Sequence, residues 1–131
     1  YSKSINIESL TMQEMVRKDL TAGIIAYEKE LTKEIIQKRS VLPSAKATLE
    51  EGILKTLDEA SSEISDKLKT LQKDTLTAEG MEDVQQQADY YEKTILKEMN
   101  ELRVFTDRAE ALIPDEYLPY PTYGQMLFSL R

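Results

Sequence analysis

Carboxylates are the residues of this sequence with the widest chemical reach. Aspartate and glutamate together number 24, and glutamate pairs at helical spacing can bind a cation or divide a general acid from a general base. Glu28 with Thr32, and Glu30 with Glu34, have that spacing. Lysines lie three or four residues away, so the pattern reads as a solvated helix face laced with weak ion pairs. A carboxylate-bridged di-metal bundle would also use Glu-x-x-His elements, and the chain has no histidine. It has no cysteine either, so nucleophilic catalysis would fall to a serine assisted by a lysine. Ser61, Ser62 and Ser65 stand near Lys67 but read as polar helix surface. A phosphate-cradling loop needs clustered glycines, whereas Gly23, Gly52, Gly80 and Gly124 are scattered. The expectation is that this chain holds no catalytic, cofactor-binding or metal-binding residue of its own.

Charge narrows the partners. The net charge is −7, which repels nucleic acid and anionic membranes unless the lysines cluster. Lys29, Lys33, Lys38, Lys67, Lys69 and Lys73 are instead interleaved with acids. Tyr90 and Tyr91 could stack on bases, but their neighbours are Asp89 and Glu92 rather than basic residues. No apolar run approaches the length of a membrane span, and no apolar block marks a signal peptide at the N-terminus. The expectation is no nucleic acid, no membrane and a cytoplasmic setting, with which the lack of cysteine is compatible. The 131 residues, 40% of them hydrophobic, suffice for one domain with a real core. The start at Tyr1 reads as a piece excised from a longer protein.

The elements that would carry these residues are helices. Thr11 with Glu14 has the capping-box pattern. Met12, Met15, Val16, Leu20, Ile24, Tyr27, Leu31 and Ile35 then follow in steps of three and four. Pro43 ends that segment. A second stripe runs Leu49, Ile53, Leu57, Ala60, Ile64, Leu68, Leu71, with Gly52 inside it as a weak point or a close contact. It fades over residues 73–80. A third runs Met81, Val84, Ala88, Tyr91, Ile95, Met99, Leu102, Phe105, Ala109, Leu112, and Pro114 stops it. The methionines on these stripes read as core filling. The predicted fold is all-α: an antiparallel up-down-up bundle of three long helices, at about 11–40, 45–73 and 81–113, because short connections make successive helices antiparallel neighbours.

Residues 114–131 differ in kind. The stretch Tyr117–Phe128 carries no charge in a chain where 31% of residues are charged. Pro119 and Pro121 favour extended geometry, and Thr122 could cap a short final helix. Tyr117, Pro119, Tyr120, Pro121, Tyr123, Met126, Leu127 and Phe128 form the candidate docking surface. They would pack back on the bundle or seat on a surface outside this chain.

Both ends of the sequence resemble one family. Tyr1–Met12, with Asn6, Ile7, Glu8, Leu10 and Thr11, resembles the segment after the catalytic domain of type III glutamine synthetases. Tyr117–Leu130, with Pro119, Pro121, Thr122, Tyr123, Gly124, Leu127 and Phe128, resembles the end of those enzymes. Leu118 and Gln125 stand where the family often has a tryptophan and an acidic residue. The resemblance implies the C-terminal helical domain of a cytoplasmic ligase that joins ammonia to glutamate through a γ-glutamyl phosphate. The parent would use ATP and Mg2+ (or Mn2+), with its catalytic residues upstream. The partners implied are the parent's catalytic domain and neighbouring identical subunits, whose assembly the bundle would brace. The competing expectation is an independent, coiled-coil-like helical interaction module with a docking tail.

Overall fold

The computed structural model describes residues 1–120, which form three long helices and no strand. The first is continuous over residues 2–41: α-helical Ser2–Glu14, a π-helical turn Met15–Leu20, and α-helical Thr21–Val41. The second is Thr48–Glu79. The third covers residues 84–112: Val84–Tyr90, a π-helical turn Tyr91–Ile95, and Leu96–Leu112. At 1.5 Å per residue the first helix is about 60 Å long. At the end of the first π turn the Thr21 N–H reaches back to the Val16 carbonyl, and the Thr21 hydroxyl donates to the same oxygen at 2.7 Å.

The first helix begins at Ser2, not at Thr11. The capping box is not used, because Thr11 and Glu14 lie inside the helix, where their backbone groups already pair. Glu14 instead meets Arg17 and Lys18 on the surface at 2.7 and 3.2 Å. The second helix also runs past the stretch where the stripe fades. Leu71 is followed by Thr75 and Ala78, both buried, so the apolar face continues in residues too polar or too small to register as a stripe. The third helix starts at Val84, where the Asp83 carboxylate accepts from the Gln86 N–H at 2.9 Å and caps it.

Thr75 is tolerated inside because it has a partner. Its hydroxyl lies 2.9 Å from that of Ser9, and the Gln13 side-chain amide donates to both, at 3.0 and 3.1 Å. This trio, whose two hydroxyls are buried, ties the beginning of the first helix to the end of the second and fixes their register, since a shifted pairing would leave the hydroxyls unsatisfied. The Tyr91 phenol donates to Asn6 at 3.0 Å and anchors the third helix to the same end. At the opposite end Lys38 pairs with Glu50, and Arg39 pairs with Glu51 while donating to the carbonyls of Ala45 and Lys46 at 3.1 Å. Glu50, on the solvent face by sequence pattern, is buried, and the Lys38 ammonium holds its carboxyl below the usual range.

The core follows the three stripes closely. Val16, Leu20, Leu57, Leu71, Ile95 and Leu102 are completely covered, with Tyr27, Ile53, Leu68 and Phe105 packed against them. Two stripe positions depart. Leu49 and Val84 are each 81% exposed, although each keeps the period of its stripe in the first turn of its helix. Ile5 and Ser9, upstream of the predicted start, are buried instead.

Candidate docking site at the end of the third helix

The chain turns back on itself after Leu112. Ile113 is extended, Pro114 follows with φ −60° and ψ 146°, and Asp115–Tyr117 form one 3-10 turn before Leu118 extends again. Proline cannot continue the helix, and the turn is closed by bonds from the Tyr117 and Leu118 N–H groups to the carbonyls of Pro114 and Asp115, both 3.0 Å. This turn lies across the first helix at Gly23. A β-carbon there would sit 2.7 Å from the Tyr117 carbonyl oxygen and 3.1 Å from a Leu118 methyl. The missing side chain is what lets the backbone approach. Leu118 is buried, and the Tyr117 ring packs against Tyr27 with centroids 5.2 Å apart. Gly52, the other candidate for a close approach, faces open space.

Two residues further on, the Tyr120 hydroxyl donates to Glu110 at 2.8 Å. Burial raises the Glu110 pKa, and the Tyr120 hydrogen bond opposes that shift. Burial and the facing carboxylate push the Tyr120 phenol well above its ordinary value, so it remains a donor. Tyr120→Phe removes the group that favours the Glu110 carboxylate and leaves the desolvation in place. The Glu110 carboxyl, followed by carbon-13 NMR through a pH titration, is therefore expected to titrate higher in Tyr120→Phe than in the unaltered chain.

Tyr120 also borders a groove of about 550 Å3 between the first and third helices. Met12 and Met15 line it from one side, Met99, Arg103 and Thr106 from the other, and Glu110 closes it toward Tyr120. Methionine side chains adapt to irregular apolar shapes, so the groove suits a mostly apolar occupant.

Of the eight predicted docking residues, Tyr117 and Tyr120 are half-buried against their own bundle and Pro119 is exposed. Pro121, Tyr123, Met126, Leu127 and Phe128 lie outside the described residues, as does the final short helix. Sequence reasoning missed the acceptor side: Gly23, Tyr27 and Glu110. The available signal was Gly23 beside the stripe residue Ile24, since a glycine inside a helix calls for a packing reason.

The Ser61 hydroxyl, expected on the polar helix surface, is buried without a hydrogen-bond partner, and burial and the nearby Asp58 raise the Glu28 pKa. Lys67 pairs with Glu63 at 3.3 Å and lies over the Phe105 ring, so no serine–lysine pair forms. The Thr32 hydroxyl donates to the Lys29 carbonyl at 2.9 Å rather than to Glu28. Among the described residues no three acidic side chains converge as a cation site would require, and no helix is long and apolar enough to cross a membrane.

Comparison with known proteins places this bundle. Over all 131 residues the chain is 60% identical to a glutamine synthetase of Butyrivibrio fibrisolvens. The chain is a sequence relative of the glutamine synthetases. A type-3 glutamine synthetase of Dictyostelium discoideum is 23% identical over 98% of the chain. The resemblance seen at the two ends thus extends through the helical middle. The chain spans about a fifth of the length of these curated relatives, 19% of the first and 18% of the second. No protein-family profile matches it, and no solved structure does.

Proposed function

We propose that this chain is the non-catalytic, C-terminal helical domain of a cytoplasmic glutamine synthetase, and that it braces the assembly of identical subunits. The observation that carries this is similarity along the whole chain to a glutamine synthetase about five times its length. On this reading ATP, Mg2+ (or Mn2+), glutamate and ammonia are handled by the parent's catalytic domain, and this domain supplies rigidity. Its helices run up, down and up. The meetings of Ser9 with Thr75, Lys38 with Glu50 and Tyr91 with Asn6 support that order. Tyr117 and Tyr120 anchor the base of a tail on the bundle, and Pro121, Tyr123, Met126, Leu127 and Phe128 extend the docking surface to the parent's body or to a neighbouring subunit. An uncharged, proline-stiffened segment loses little entropy on docking.

The test uses the full-length parent carrying Tyr123→Ala with Phe128→Ala. Particle mass by light scattering is expected to fall, and the thermal midpoint with it. Unchanged mass and midpoint would remove the docking role. The 131-residue chain alone is expected to form no glutamine from glutamate, ammonia and ATP, and glutamine formation by it would overturn the non-catalytic assignment.

A further inference from the structure

The described residues end at Tyr120, on the rim of a groove that none of them fills. Tyr120, bonded to Glu110 at 2.8 Å, stands at one end of this space of about 550 Å3 between the first and third helices. Met12 and Met99 are buried there, Met15 lies beside them, and Ile7 forms a wall with 57% of its surface exposed. Tyr91 meets Asn6, and the turn after the third helix rests on Gly23, so the groove runs from Tyr120 back toward Ile7 and Glu8. Residues 121–131 leave from that rim. Tyr123, Met126, Leu127 and Leu130 fall at i, i+3, i+4 and i+7, the apolar face of a short helix that Thr122 would cap. We propose that residues 121–131 fold back into this groove of their own bundle, with Tyr123, Met126, Leu127 and Leu130 seated against the methionines of the first and third helices.

Length, chemistry and tethering favour this occupant. From Glu110 to Met99 the third helix covers about 16 Å, and a helix over residues 122–130 would cover about 13 Å. The segment therefore has the reach to line the groove without overrunning it. Residues 121–130 carry no charge, so apolar surface on both sides leaves water when they meet, and methionines adapt to the side chains they receive. Arg131 closes the segment, and Glu8 stands at the far end of the groove with the opposite charge. The Tyr120–Glu110 bond and the packing of Tyr117 on Tyr27 hold the start of the segment at the rim. A short tether of this kind gives an effective concentration in the millimolar range, against which a segment from another chain would have to compete. Phe128 falls on the opposite side of that helix from Tyr123 and Leu127 and stays outside the groove. This seat goes beyond the docking role, because it sets which side of the segment a neighbouring surface meets.

The experiment is NMR of the whole 131-residue chain with carbon-13 in its methionine methyl groups. Nuclear Overhauser contacts are expected from the Met12, Met15 and Met99 methyls to the Tyr123 ring and the Leu127 methyls. In a mixture of labelled and unlabelled chains they should stay within one copy. Phe128→Ala, off the seated side, should leave them in place. Met15→Glu puts a charge into the groove, so the contacts should vanish and chymotrypsin cleavage after Tyr123 should quicken on the order of tenfold. Ile25→Glu, at a position 60% exposed elsewhere on the first helix, should change neither. Should Met15→Glu fail to fold, Ile7→Lys at the exposed wall decides by the same two readouts. Absence of the methyl contacts, contacts only between copies, or unchanged cleavage in the groove variants would overturn the seat. The seat is read in this chain and the docking role in the full-length parent, so either can fail without the other.

Discussion

Leu102→Ala is expected to destabilise the chain by about 3 kcal/mol, the range for a leucine removed from a packed interior, and to lower the thermal midpoint by roughly 10 °C. Leu102 has no exposed surface. It sits in the third helix facing the second, within the run that holds Met99, Phe105 and Ala109. Truncation leaves a void that neighbouring helices fill only by shifting, because the surrounding side chains are already in contact. The comparison that gives this prediction its force is Leu49→Ala. Periodicity places both leucines on apolar stripes, yet Leu49 is 81% exposed and its loss should change stability by about 0.5 kcal/mol or less. Chemical denaturation of both variants checks the pair. Equal losses would mean that Leu49 is covered after all, and equal small effects would mean that the third helix does not pack as described.

Gly52→Ala is expected to raise stability, and Gly23→Ala to leave it unchanged or lower it. Both glycines lie inside helices, and alanine is better there by about 1 kcal/mol. At Gly52 nothing stands within 4 Å of the added carbon, so the full gain should appear. At Gly23 the new carbon would meet the Tyr117 carbonyl oxygen at 2.7 Å. That oxygen belongs to backbone held by the Pro114 turn and cannot swing aside as a side-chain tip would. Overpacking of this kind costs about 1–3 kcal/mol, which offsets or exceeds the helical gain. The 3-10 turn should lift from the first helix, separating Tyr117 from Tyr27 and uncovering Leu118. Faster chymotrypsin cleavage after Tyr117 in Gly23→Ala, with no such change in Gly52→Ala, is the expected readout. Matching behaviour of the two variants would mean that the segment after the third helix does not rest on Gly23.

These contrasts mark how far the sequence reaches. Helix type and the core were legible, because burial of an apolar stripe repeats at the helical period. Val16, Leu20, Leu57, Leu71, Ile95 and Leu102 all carry that signature and are all fully covered. Boundaries were less legible where the stripe is made of polar or small residues. Ser9, Thr75 and Ala78 are core positions whose side chains carry little hydrophobic signal, and Ser9 and Thr75 are acceptable inside only because each satisfies the other. Leu49 and Val84 mark the converse, since they keep the period of their stripes in the first turn of their helices and are exposed.

The docking surface divides in the same way. Composition alone raises the expectation that the stretch from Tyr117 onward needs cover, since an uncharged aromatic run gains little from water. What receives its first residues was decided by the tertiary structure. Gly23 and Tyr27 are far from Tyr117 and Leu118 along the chain, Glu110 and Tyr120 are ten positions apart, and no period links them. Periodic burial is a property of one helix and can be read along it. Complementarity between helices depends on their register and approach, which exist only once the helices have packed.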